Sequence, residues 1–220
     1  MFHFFTIASM DDLARMIDQV GILPFFNNSV PGWSVEEHAD PDVWFGGNEG
    51  PWEWKGPLAY GKICVYGKFI RDKAAFISPK WFGDLANWRR SGMSFDERVE
   101  AGMVPHRERL LMNYLREHPY TQSRHVRREC GIDTGYDTAL TRLEMQTYVV
   151  NQDFQYSIDR FGRPYGWGNA VLCAAEDWVD AFALAVPEDR EPEDSFERMI
   201  RHLRRVMPKA DEKALRRELQ

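Results

Sequence analysis

Long apolar runs are missing from this chain of 220 residues. No stretch approaches the roughly 20 residues that a helix needs to cross a bilayer. The start, MFHFFTIASMDDLARM, is apolar but has no basic leader and turns acidic at Asp11, which argues against a secretory signal. Cysteine is scarce. Cys64, Cys130 and Cys173 are odd in number and far apart, so they match neither a disulfide framework nor zinc spacing. A reduced, cytoplasmic protein is the expectation. His38, His106, His118, His125 and His202 have no metal-ligand spacing and His3 is isolated, so no metal is expected. No Gly-rich loop precedes a helix, and no GxSxG elbow occurs. Nucleotide hydrolysis and esterase chemistry therefore lack their motifs, and no cofactor is expected.

Hydrophobic residues make up 44% and charged residues 28%, the balance of a globular protein with a real core. Aromatics reach 14%. Trp33, Trp44, Trp52, Trp54, Trp81 and Trp88 lie in the first half, Trp167 and Trp178 in the second. Most are expected in the core, because aromatics bury so much area. Trp52 and Trp54 in GPWEWKGP are two apart and would share a face of an extended segment, where they could line a pocket for a flat ligand.

The net charge of −6 opposes non-specific nucleic-acid binding by the whole chain, but its distribution is uneven. Residues 1–103 carry 10 basic and 14 acidic groups, and residues 104–163 carry 9 and 8. Residues 164–197 carry 1 and 9, and residues 198–220 carry 8 and 3. A polyanion would therefore meet the middle of the chain or its C-terminal helix.

The pattern along the chain predicts an α+β fold. SMDDLARMIDQVG reads as a helix capped by Ser9 and stopped by Gly21, with Leu13, Met16, Ile17 and Val20 inward. The prolines and glycines of residues 24–57 predict irregular structure. GKICVYGKFIRDKAAFIS predicts a β-hairpin turning at Arg71-Asp72, with Ile63 and Val65 on one face. A short helix should start at Pro79, and residues 92–104 read as a connector. We expect an aromatic-rich region over residues 1–104, a second unit over 105–186 and amphipathic helices over 187–220.

Residues 105–186 are the most informative. PHRERLLMNYLREHP predicts a helix with Leu110, Leu111, Tyr114 and Leu115 inward. YTQSRHVRRECG predicts a second, capped by Thr121 or Ser123, and TGYDTALTRLEMQ a third, capped by Thr134 or Asp137. Leu140, Leu143 and Met145 are its expected core face. A hairpin follows, with Arg160 and Arg163 at its tip. Three helices and a hairpin are the layout of a winged helix, whose third helix enters the major groove and whose wing meets phosphates. Thr138, Thr141, Arg142, Arg160 and Arg163 are the expected DNA contacts. Arg124, Arg127 and Arg128 join them, with salt bridging to Glu129 and Asp133 as the plain alternative. PEDREPEDS reads as an acidic linker, and SFERMIRHLRRVMP as a helix with Phe196, Met199, Ile200, Leu203 and Val206 in one stripe.

Several stretches together resemble a group of bacterial proteins described as AlkZ-related: ILPFF, PGWSVEEHADPDVWF, GPWEWKG, YGKF, AAFISPKWFGDLANWRRSGMSFDE, LEMQTYVV, DFQYSIDRFGRPYGW and SFERMIRHLR. The resemblance implies kinship to winged-helix DNA glycosylases that excise alkylated purines and unhook interstrand crosslinks. Their catalytic motif is a glutamine, a hydrophobic residue, then glutamine or aspartate. The nearest string here is Glu144-Met145-Gln146, in which Gln146 matches the third position and Glu144 departs from the first. The leading expectation is a winged-helix protein that contacts DNA, with a role in DNA repair. A glycosylase using Glu144 and Gln146 is the enzyme alternative. A module that binds an acidic protein partner or a second copy is the third.

Overall fold

The computed structural model describes residues 4–44, 49–187 and 189–220. His3, Gly46 and Gly47 lie outside the described residues, as does the side chain of Trp167. The first helix, α1 (Met10–Val20), has Ser9 as its N-cap, whose hydroxyl accepts from the Asp12 N–H, and Gly21 as its C-cap. Leu13, Met16, Ile17 and Val20 are buried, as their spacing requires. Strand β1 (Ile22–Pro24) follows directly.

The Pro- and Gly-rich stretch is not irregular throughout. It forms α2 (Val35–His38), α3 (Pro41–Trp44) and α4 (Pro51–Tyr60). Helix α4 starts on Pro51, whose missing N–H costs nothing in the first turn, and the Glu53 carboxylate accepts from the Gly50 N–H at 3.0 Å. Trp52 and Trp54 therefore lie on a helix. Two residues advance about 200° around a helix, so these side chains leave in different directions instead of sharing a face.

Strands β2 (Val65–Ile70) and β3 (Lys73–Ile77) form the expected hairpin. Arg71 and Asp72 both have positive φ, 51° and 60°, as a two-residue turn matched to strand twist demands. Ile63 lies outside the strand and is exposed while Val65 is buried, so the two do not share a face of the hairpin as expected. Helix α5 (Pro79–Arg90) runs for 12 residues, and the supposed connector contains α6 (Phe95–Glu100), opened by a capping box between Ser94 and Glu97.

The next elements run helix, short strand, helix, helix, strand, strand. They are α7 (His106–Glu117), β4 (Thr121–Gln122), α8 (Ser123–Glu129), α9 (Tyr136–Met145), β5 (Val149–Ile158) and β6 (Pro164–Ala174). Details differ from the sequence reading. Gln122 precedes α8, and Gly135, in a left-handed conformation, precedes α9; neither supplies a side-chain cap. Leu110, Tyr114 and Met145 are half-buried, while Met112 and the carboxylates of Glu108 and Glu144 are buried.

Among the described residues, six strands join one antiparallel sheet in the order β1-β3-β2-β5-β6-β4. The root of the β5–β6 hairpin is stitched to the N-terminal hairpin where Asn151 pairs with Tyr66. Helix α4 lies across β5 nearby, and the two elements approach closely at Gly56. A Cβ on Gly56 would stand 3.2 Å from Asp153 Oδ1 and 3.5 Å from the Phe154 nitrogen.

Among the described residues, two apolar cores pack on the sheet. One gathers Leu111, Leu115, Val126, Leu140, Leu143, Tyr148, Val149 and Leu172 around α7, α8 and α9. The other holds α1, both N-terminal hairpin strands, Val150 and Cys173 together with the chain's C-terminal helices. After α10 (Ala175–Trp178) and α11 (Ala181–Leu184) come α12 (Pro192–Val206) and α13 (Glu212–Leu219). The acidic stretch is no free linker. It opens α12, Ser195 is fully buried, and Asn87 Nδ2 donates to the Ser195 hydroxyl and the Arg190 carbonyl. Buried Asp84 on α5 pairs with both Arg190 and Arg198.

Candidate nucleic-acid interface

Helix α9 turns Ala139, Leu140 and Leu143 inward, which leaves Asp137, Thr138 and Arg142 on its open side. Arg142 reaches back toward the buried Glu108 carboxylate on α7 at 3.5 Å, yet 60% of its side chain stays exposed. Burial pushes Glu108 up from the usual carboxylate range, against the pull of that guanidinium. Between the starts of α7 and α9 is a hollow of about 440 Å³ lined by His106, Arg107, Glu108, Thr138 and Arg142.

The other predicted cations divide. Arg127 pairs with Asp137 and lies over the Tyr136 ring, and Arg128 pairs with Glu129 at 2.5 Å. These pairs are exposed, where an ion pair contributes about 0–1 kcal/mol and yields readily to a phosphate. Arg124 is exposed and makes no ion pair among the described residues. The same holds for Arg160 and Arg163 at the hairpin tip, whose guanidiniums rest on the Phe161 ring at 4.7 and 5.8 Å.

Thr141 faces inward to the N-terminal hairpin. Lys68 Nζ donates to its hydroxyl at 2.9 Å, which occupies it in the seam between α9 and β2. Met145 joins the same seam through the Asp72 N–H, 3.3 Å from its sulfur. Around Thr141, Glu144 and Met145 helix α9 is thus covered, while the face that carries Asp137, Thr138 and Arg142 is open.

Glu144 lies at the centre of that seam and is 2% exposed. One carboxylate oxygen accepts from Asn151 Nδ2 at 2.6 Å and from the Lys68 N–H at 3.4 Å. The other oxygen is buried without a hydrogen-bond partner among the described residues. Burial pushes Glu144 up to about 7, opposed by the charge of Lys68 and the bond from Asn151. Gln146, the last residue of the motif, is half-buried at the helix end. Lys68 and Asn151 escaped the sequence reading. The only signal for Lys68 was a lone charge in the otherwise uncharged strand VYGKFI, where a buried strand leaves no room for an unpaired ammonium.

The two tryptophans of α4 serve different surroundings. Trp52 packs among Phe25, Phe26 and Trp44 with ring centroids 4.9 to 5.7 Å away. Trp54 is 7% exposed and lines a separate cleft of about 770 Å³ with Phe154, Tyr156, Glu53 and Asp153. Burial and the neighbouring carboxylates of Glu53, Asp153 and Glu49 hold the Tyr156 phenol above its ordinary value.

Among the described residues, no group of three or more His, Cys, Asp or Glu could hold a metal ion, and no helix is long and apolar enough to cross a membrane. Comparison with curated proteins and with solved structures returns no match. A family model described as AlkZ related matches residues 7–220, essentially the whole described fold, and the chain belongs to the AlkZ-related family.

Proposed function

We propose that this protein contacts duplex DNA through a winged-helix unit and acts in DNA repair. The observation that carries the reading is the order of α7, β4, α8, α9 and the β5–β6 hairpin, joined to a hairpin tip whose two arginines have no carboxylate partner among the described residues. In such a unit the third helix enters the groove by its N-terminal residues and the wing grips the backbone. Thr138 and Arg142 stand on the open face of α9, and Arg124 is exposed on α8. Family membership supports a repair role.

The test is a fluorescence anisotropy titration against duplex, single-stranded and alkylated DNA at two salt concentrations. Binding should weaken as salt rises, because each phosphate contact releases a counterion. Arg160→Ala with Arg163→Ala should make the log–log salt slope shallower by about 2, the value for two lost contacts. Salt-independent binding, or a double variant that binds as the parent does, rejects the proposal.

A second reading is base excision, favoured by one observation. Glu144, next to the motif residue Gln146, titrates near neutrality, where a carboxyl serves as acid or base. N7-alkylated guanine already carries positive charge, so its glycosidic bond needs little further protonation. The amide oxygen of Gln146 would orient water beside the cationic sugar. Because Glu144 is sealed between α9 and β2, this reading requires the seam to part on DNA. It predicts release of 7-methylguanine from alkylated DNA, abolished in Gln146→Ala. No release at enzyme in excess over DNA removes the reading.

A further inference from the structure

The hairpin tip carries more than charge. Ile158 is 60% exposed and Phe161 67% exposed, and both belong to the far end of the ribbon. A single apolar side chain at a surface is ordinary. Two of them at one tip, with a guanidinium on either side, make a concentrated apolar point in a cationic setting.

The tip is also built to hold its shape. Asp159 N–H donates to the Arg163 carbonyl at 2.9 Å, and Gly162 N–H donates to the Asp159 carbonyl at 3.0 Å. The Asp159 Oδ1 accepts from the N–H groups of Phe161 at 2.7 Å and Arg163 at 2.9 Å. Gly162 takes the positive φ of 79° that closes the turn. The carboxylate of Asp159, the one acidic group of the tip, is occupied by the turn's own backbone. Phe161 is thereby presented on a rigid mount, with Arg160 and Arg163 against its ring.

A wedge needs these properties. An apolar side chain entering DNA from the minor groove separates two stacked bases at a cost of a few kcal/mol, offset by wider contact with the bent duplex. It must be held stiffly, and arginine beside it is favoured by the potential of that groove. We infer that Phe161 is a wedge that enters the minor groove of duplex DNA and parts a base step, with Arg160 and Arg163 gripping the flanking phosphates. The inference rests on the DNA-contacting reading and adds a deformation that phosphate contact alone would not produce. Its ligand is a flexible or weakened step, such as TA, CA or a mismatch, where unstacking is easiest.

The experiment uses the full chain and a duplex with 2-aminopurine at successive positions, because its emission rises when it leaves the stack. At saturating protein the emission should rise at one step, more for TA or a mismatch than for an A-tract. Phe161→Ala should bind roughly tenfold more weakly, the usual loss for one base–aromatic contact, and give no rise when saturated. Phe161→Leu, which keeps an apolar point, should retain part of the rise. The salt slope should be the same for all three, since no phosphate contact is removed. Binding without a rise in the parent protein, or an equal rise in Phe161→Ala, overturns the wedge and leaves DNA contact standing. Absence of binding by the parent protein overturns both.

Discussion

Glu144→Gln is expected to stabilise the protein at pH 8 by about 3 kcal/mol and to leave it unchanged near pH 4. The sign follows from where the proton is held more tightly. Folding raises the Glu144 pKa from 4.5 to about 7, so the folded state binds this proton more strongly than the unfolded chain does. Unfolding then releases a proton between those two values, and stability falls as pH climbs through that window. Above pH 7 both states are ionised and the loss levels off. Glutamine keeps the shape and the acceptor for Asn151 while removing the charge. Urea midpoints of parent and variant, taken from pH 4 to pH 8, should start together and separate steadily. Curves that stay parallel across the window would show that Glu144 does not titrate in the buried seam.

That seam is also where the sequence is least legible. The spacing of apolar residues shows α1, the β2–β3 hairpin, α7 and the α12 stripe well, because those patterns are local. Ser9 and Gly21 mark the ends of α1 for the same reason. Glu144 looks like an exposed helix-end residue, since carboxylates are seldom buried without a charge partner. The docking of β2 and β5 on α9 encloses it, and the contact with β2 joins residues 76 apart in the chain. Thr141 is lost to the outer face by the same docking. No periodicity within either element reports it.

Helix α4 was hidden differently. Its proline at the first position and Glu53 in the first turn are helix-start features, yet Gly50, Gly56 and Pro57 made the stretch read as irregular. Pro57 is tolerated there by tertiary packing, with α4 pressed on β5 at Gly56. The consequence for function is that Trp52 and Trp54 cannot form one stacking platform. Trp54 remains beside an acidic, aromatic cleft, which suits a cation better than a phosphate.

Gly21→Ala is expected to cost roughly 3–5 kcal/mol, the sum of backbone strain and overpacking. Against a typical domain stability of about 5–15 kcal/mol, that loss leaves a marginal protein. Gly21 closes α1 with φ 81° and ψ −46°, a conformation that L side chains avoid. A Cβ there would stand 2.5 Å from Trp81 Cδ1 and 2.6 Å from its Nε1. Trp81 cannot retreat, because its ring is stacked on His202 at 4.2 Å and lies under the Arg198 guanidinium at 4.4 Å. His202 is fixed in turn. Its Nε2–H donates to the Val20 carbonyl at 3.0 Å, its Nδ1 accepts from Arg205 at 3.1 Å, and burial keeps its pKa low and the ring neutral. The end of α1, the start of α5 and the middle of α12 therefore meet at a point with no space for a methyl group. Gly102→Ala is the control: its φ is also positive, at 70°, but nothing lies within 4 Å of the added carbon. It should lose only about 1 kcal/mol, the strain alone. Urea midpoints for the two variants should differ by the cost of the Trp81 clash. If both fall equally, strain accounts for everything and the three-helix junction is looser than its geometry says.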